Sequence, residues 1–342
     1  MKSSSGRTIY PQILVSKNNK ILSASRVKTL DTCSWSYWCN YHLKVPQKAN
    51  SGALRGSLCH LVFELMLKDR HQHHYKKILK NHSIDGSPSI KRLVIKHLTR
   101  DGIIDDGESY ELCDKMIVVG LQYDFFGAKG SKIIGIEEKF LLDKTEPTYK
   151  AMGFIDKVVR KGSKIKIVDY KSSKNKFKGE ELTSNIQAMM YTLAAHKLWP
   201  DVKDIVVEFL FLRFPKSASQ EIRVTKEQLA GFEHYLEHVY KIINKFSESD
   251  AKLNYAADNQ STQWLCKAGK TWRCPYLDPV EYYILKDEQG EIVKSAFKKK
   301  DLKIKEGHSI EKKKYSGCPA HSTQAKAKDE FDLDAEEDEF DF

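Results

Sequence analysis

Asp156, Asp169 and Lys171 are the residues whose types and spacing bear most directly on chemistry. Asp169 and Lys171 close the stretch KIKIVDYK, residues 164–171, whose β pattern puts Ile165, Ile167, Asp169 and Lys171 on one face. Charge therefore extends an apolar, core-directed row. Two residues apart on a strand, the two charged groups stand roughly 7 Å from each other and point the same way. A second β-patterned run, residues 153–159, carries Phe154, Asp156 and Val158 on one face, and the basic turn RKGSK joins the two runs. Paired as a hairpin, they bring Asp156 within reach of Asp169. Two carboxylates and an ammonium then converge at the end of a buried sheet. Oxygen donors of this kind suit Mg²⁺ or Mn²⁺. Such an ion polarises a phosphodiester and lowers the pKa of an attacking water, while a lysine orients that water or offsets charge on phosphorus. Taken alone, D-x-K is equally an ordinary salt bridge at a strand end.

Three further patterns lie in order around it. They are G-x-x-x-H from Gly56 to His60, G-F-I-D ending at Asp156, and Q-x-x-x-Y from Gln187 to Tyr191. With V-D-Y-K-S around Asp169, the set resembles the RecB-like branch of the PD-(D/E)XK nucleases. That branch includes the nuclease domains of helicase–nucleases, CRISPR-associated exonucleases and many phage exonucleases. The resemblance implies a restriction-endonuclease-like α/β core, with a mixed central sheet flanked by helices, a helical N-terminal part and an irregular C-terminal extension. It implies that His60, Asp156, Asp169 and the backbone carbonyl of Tyr170 hold the metal and that Lys171 is catalytic. Gln187 and Tyr191 would line the DNA side, and the basic loop that follows offers Lys174 and Lys176 to phosphates.

The family often places a glutamate on the preceding strand. In SKIIGIEEKFLL, Glu138 shares the core face of Ile134, Ile136, Phe140 and Leu142, with Glu137 a close second. Many RecB-like nucleases also hold a [4Fe–4S] cluster through one early and three late cysteines. Cys33, Cys266, Cys274 and Cys318 could supply such a set, and Cys-Pro steps occur at two of them. The late cysteines of the family are usually tightly spaced, whereas these are spread, so zinc and no metal stay open. Cys39, Cys59 and Cys113 read as buried thiols.

The elements that position these residues follow from periodicity. Residues 53–67 form a helix with Leu58, Leu61, Val62 and Leu65 on one face. Residues 109–126 form another. Strands follow at 131–142, 153–159 and 164–171, then a helix over 180–198, a strand at 204–214 and a short one at 221–224. A long helix starts at Thr225, where Gln228 completes a capping box. YYILKDEQGEIV reads as a late hairpin. The domain reading is an N-terminal extension (1–24), a nuclease domain (25–276, core 53–246), a basic C-terminal subdomain (277–320) and a disordered acidic tail (321–342).

The chain has 342 residues and a formal charge of +11, distributed unevenly. Residues 329–342 hold only acids among their charged side chains. The remainder is strongly basic, which suits a polyanionic partner such as DNA. The acidic tail suits a protein partner, or folds back over the chain's own DNA channel, or serves solubility alone. No run approaches the roughly 18 apolar residues of a membrane span. An odd count of seven cysteines argues against a complete disulfide framework and for a reducing, cytoplasmic setting. Together these readings point to a metal-dependent DNA exonuclease of replication, recombination, repair or DNA degradation. A non-catalytic DNA-binding or assembly subunit of a helicase or recombination complex stays open, as does an endonuclease.

Overall fold

The computed structural model describes residues 20–48, 50–266 and 273–321. The residues read as a disordered acidic tail lie outside these, apart from His321. In chain order the helices of eight residues or more are α1 (Ala24–Thr32), α2 (Ser34–Tyr41), α3 (Ser51–Met66), α4 (His73–Asn81), α5 (Pro88–Arg100), α6 (Ser109–Gln122), α7 (Ile186–Leu198) and α8 (Lys226–Lys245). The strands are β1 (Lys132–Thr145), β2 (Thr148–Lys161), β3 (Lys164–Lys171), β4 (Asp204–Phe211), β5 (Ser219–Ile222), β6 (Val280–Lys286), β7 (Ile292–Ala296) and β8 (Ser309–Tyr315). Two compact units result. One is Lys48–His238 with Leu22–Ala24; the other joins Ser25–Gln47 to the described residues from Val239 on.

The larger unit is built on a five-stranded mixed sheet of order β1-β2-β3-β4-β5. β3 and β4 pair in parallel, Lys164 opposite Asp204 through Lys171 opposite Phe211, while the other neighbours are antiparallel. A parallel pair needs a crossover, which α7 supplies, and its strands are buried on both faces. That explains why DIVVEFLF and most of KIKIVDYK are inside. α3 packs through Leu58, Cys59, Val62, Phe63 and Met66 onto α6 and onto Val168, Tyr170, Leu210 and Leu212 of the sheet. Each such side chain contributes roughly 1.5–3 kcal/mol on burial.

Two boundaries differ most from the sequence expectation. The helix expected from residue 180 starts at Ile186. Asn185 caps it, its side chain accepting from the Ala188 amide at 2.9 Å, because an asparagine carbonyl satisfies a free first-turn donor better in an extended conformation than inside a helix. β2 is twice the length its alternation suggested. Only its last five residues pair with β3, and the rest continues against β1 as a long hairpin. The capping box at α8 forms as expected, with reciprocal bonds of 2.9 and 3.2 Å between Thr225 and Gln228.

In the smaller unit, β7-β6-β8 form a three-stranded antiparallel sheet, with β6 and β7 the hairpin read from YYILKDEQGEIV. Trp35, Cys39, Tyr276, Tyr282, Ile284, Tyr315 and Cys318 make its core. Trp35 donates its indole N–H to the Tyr315 hydroxyl at 2.7 Å, and that hydroxyl donates to the Tyr276 carbonyl at 2.8 Å. Two of the lysines on β8 are paired, Lys312 with Glu281 and Lys313 with Glu311.

Lys157 is a cost within the larger unit. It is 1% exposed, and its ammonium donates to the Phe125 carbonyl at 3.0 Å between the rings of Phe125 and Tyr170. Burial lowers its pKa to about 8, with Glu208 opposing. The unfolded chain therefore binds more protons than the fold between pH 8 and 10.5, so stability rises with pH across that window. At neutral pH the buried charge costs on the order of 3 kcal/mol. Lys157→Met is expected to stabilise the protein by about 1–3 kcal/mol at pH 7, seen as a higher melting temperature, with the gain shrinking towards pH 10. A lower melting temperature at pH 7 would show that the ammonium's contacts outweigh its desolvation.

Candidate active site

The site lies where α3 crosses the C-terminal end of β3. Gly56 permits the crossing: a Cβ there would stand 2.5 Å from Ser172 Oγ. One turn later, His60 directs its ring at the strand. Its Nε2 is 2.8 Å from the Tyr170 carbonyl oxygen, and its Nδ1 is 3.3 Å from Asp156 Oδ2. That same Asp156 oxygen accepts from the Tyr170 amide at 2.9 Å. Burial alone would lower the His60 pKa, but the hydrogen bond and charge of Asp156, then the charge of Asp169, outweigh it and raise the value to about 9. A doubly protonated ring donates to both acceptors at once.

Asp169 is 3% exposed. Its Oδ1 accepts from Gln187 Nε2 at 2.8 Å and from the Tyr191 hydroxyl at 2.9 Å. Lys171 Nζ lies 2.6 Å from its Oδ2, but the aligned bond of that ammonium goes to Gln187 Oε1 at 2.7 Å. Asp169 Oδ2 is thereby a buried oxygen in ionic contact with a lysine yet without an aligned donor. Complete burial raises the Asp169 pKa, with Lys171 opposing and the charge of Asp156 adding to the rise. Gln187 and Tyr191, expected on the DNA side, instead spend their polar groups holding Asp169 and Lys171, and Tyr191 is itself buried.

The carboxylate from β1 is Glu137 rather than Glu138. Ligand atoms of His60, Glu137 and Asp156 all lie within 4.8 Å of one another. Strict alternation misassigns the pair because Glu137 adopts a left-handed backbone (φ +49°) and the β1–β2 register shifts at residues 133–135. Glu138 instead folds back over Gly135, its Oε2 3.3 Å from where a Cβ would sit. Burial, reinforced by the charge of Asp156, raises the Glu137 pKa to about 7. A cavity of about 450 Å³ opens here, lined by Gly56, Ser57, His60, Leu61, Glu64 and Glu137. Glu64 reaches away to Lys68 at 2.6 Å.

One imidazole and two carboxylates, those of His60, Glu137 and Asp156, form a donor set that suits a hard divalent cation. The model of the PD-(D/E)XK nuclease superfamily matches residues 21–278. The chain belongs to the PD-(D/E)XK nuclease superfamily. Its mixed sheet with flanking helices is that superfamily's fold, and its members use divalent metals. A crystal structure from Eubacterium rectale, described as a putative exonuclease, is similar at 12% identity and a TM-score of 0.42, covering 79% of this chain and 96% of its own. No curated protein matches the sequence.

The remaining expected residues fall elsewhere. Lys174 is exposed on the loop after β3, whereas Lys176 donates to the Ser217 carbonyl at 2.5 Å. Cys33, Cys266, Cys274 and Cys318 all belong to the smaller unit. Cys33 caps α2, and Cys274 and Cys318 sit in or against its apolar core. Among the described residues no three cysteine sulfurs lie within 4.8 Å of one another. No helix among the described residues is long and apolar enough to cross a membrane.

The raised pKa values of His60 and Glu137 set a direction for metal binding. Ligation requires unprotonated His60 and Glu137, so a cation competes with their protons. Apparent Mn²⁺ affinity should rise from pH 6 to pH 9, by roughly tenfold per unit once Glu137 has titrated. Calorimetry in buffers of different ionisation enthalpy would count the protons released. Affinity independent of pH, with none released, would contradict the arrangement.

Proposed function

We propose that this nuclease is a Mg²⁺- or Mn²⁺-dependent deoxyribonuclease that degrades DNA from its ends, an exonuclease of the RecB-like branch acting in replication, recombination, repair or DNA degradation. The observation that carries the reading is the cluster of His60, Glu137 and Asp156, with ligand atoms within 4.8 Å of one another, together with the Asp169–Lys171 pair at the end of β3. The basic body of the chain supports a DNA substrate, and the acidic stretch 329–342 suits a protein partner.

In this mechanism His60, Asp156, Asp169 and the Tyr170 carbonyl hold the metal, with Glu137 taking the place expected of Glu138. The bound ion supplies Lewis acidity to the phosphodiester and acidity to the attacking water. Asp169 keeps its position through Gln187 and Tyr191. Lys171 presents its ammonium beside Asp169, where it orients the nucleophile and offsets charge on phosphorus. Lys174, free on its loop, meets a phosphate of the bound strand.

Labelled linear DNA and a closed circle, incubated with Mg²⁺, Mn²⁺ or EDTA, test the reading. Linear DNA should be lost in a metal-dependent way while the circle survives. Asp169→Asn and Lys171→Ala should each lower the rate by roughly 10²–10³-fold or more without unfolding the protein. Cleavage by either variant at the wild-type rate sinks the assignment, and digestion of the circle makes the enzyme an endonuclease.

A [4Fe–4S] cluster on Cys33, Cys266, Cys274 and Cys318 is part of the same proposal. Burial raises the Cys274 thiol to about 11 and the Cys318 thiol to about 12, and both are pushed further by the neighbouring Cys33 and Cys266. A cluster would take all four as thiolates, against the burial that keeps these thiols protonated. Anaerobically purified protein should contain iron and acid-labile sulfide and absorb visible light, and Cys33→Ala should lose all three. Zinc without sulfide would replace the cluster by a structural zinc site.

A further inference from the structure

The β1–β2 hairpin extends beyond its pairing with β3, and its outer face carries apolar groups beside the candidate metal ligands. Ala151, Ile155, Phe140 and Leu142 turn inward. Gly153 faces the Phe140 ring so closely that a Cβ would stand 2.6 Å from it. Alternation then turns Phe154 outward, where 48% of it is exposed. Lys139 is its direct partner on β1, and the adjoining Leu141–Met152 pair leaves Leu141 41% exposed. Phe154 precedes Asp156 by two residues, as Lys139 follows Glu137 by two. The aromatic-and-lysine pair therefore stands roughly 7 Å along the strands from the carboxylates.

That distance is within the reach of one nucleotide. A phosphodiester engaged at Asp156 places a neighbouring base beside Phe154 and a neighbouring phosphate beside Lys139. Bases within a duplex have both faces covered and a terminal pair has one, so an unstacked base is the freer partner for the ring. Aromatic stacking with a basic neighbour is how single strands are held without regard to sequence.

We propose that Phe154, backed by Lys139, is a stacking platform for the nucleotide next to the cleaved phosphate, so that the enzyme takes a single-stranded DNA end in preference to a paired one. The assignment rests on the nuclease reading above.

The test uses the full-length protein, Ca²⁺ in place of Mg²⁺, and single-stranded oligonucleotides carrying 2-aminopurine near the end. Wild type should quench the fluorophore and bind the single strand more tightly than a blunt duplex. Phe154→Ala should abolish the quenching and weaken single-strand binding by roughly 5- to 100-fold. Phe154→Trp should retain both, and Phe154→Leu should not restore the quenching, which separates stacking from packing. Unchanged Mn²⁺ affinity and melting temperature certify that Phe154→Ala is folded. Wild-type quenching and affinity in a folded Phe154→Ala protein overturn the proposal. So does equal affinity of the wild type for single strand and blunt duplex. If wild type binds and quenches but cleaves nothing with Mg²⁺ or Mn²⁺, the nuclease reading falls while the quenching still decides for or against Phe154.

Discussion

The burial of one carboxylate organises the larger unit. Asp169 sits at the end of a strand whose neighbours are apolar on both faces, where an isolated charge would be prohibitive. Its surroundings answer that cost with a lysine two residues on and with two donors from α7. The parallel pairing of β3 with β4 is part of the answer. It requires a crossover, and the crossover is the helix that carries Gln187 and Tyr191. An antiparallel return at this point could be made by a short turn, which would leave Asp169 without its donors. Topology and chemistry are here a single constraint.

Tyr170 shows how both helical layers are tied to the same point. Its amide fixes Asp156, its carbonyl meets His60, and its ring packs on Phe63 of α3 at 4.3 Å between centroids. Alternation along β3 puts the side chains of Asp169 and Lys171 on the opposite face, towards α7. One residue of backbone thus sets the spacing between α3 and the carboxylates, and Gly56 allows the helix close enough for His60 to reach. Loss of fit on either face of β3 would be felt by the donors on the other.

Much of this was legible in the sequence because it depends on local period. β3 has the bounds its alternation implied, and the parity of G-F-I-D and V-D-Y-K brings Asp156 and Asp169 together once the two runs pair. What was not legible depends on departures from period or on partners distant in sequence. Glu137 displaces Glu138 through one left-handed residue in a run that otherwise reads as plain strand, and nothing in GIEEKF marks which glutamate takes that conformation. Gln187 and Tyr191 share a helix face as their spacing implied. That they face Asp169 and Lys171 follows from the path of the crossover, which spacing does not encode. The buried state of Lys157 was equally hidden, since a lysine following Asp156 in a strand looks solvated until Phe125 and Tyr170 close over it.

The charge balance of the site explains why the raised pKa values of His60 and Glu137 belong together. Three carboxylates, Glu137, Asp156 and Asp169, face two side-chain cations, Lys171 and a protonated His60. With a proton also on Glu137, the positive and negative charges are equal. The rises to about 9 for His60 and about 7 for Glu137 run in the direction of such a balance. A divalent cation that displaces these two protons leaves the total unchanged: two positive charges enter and two leave, and Lys171 keeps its own. The chain can therefore fold around the site before metal arrives without holding an uncompensated cluster of acids. Binding then exchanges charge with solvent and adds none to the interior, which is the less costly way to fill a site whose central carboxylate is already buried.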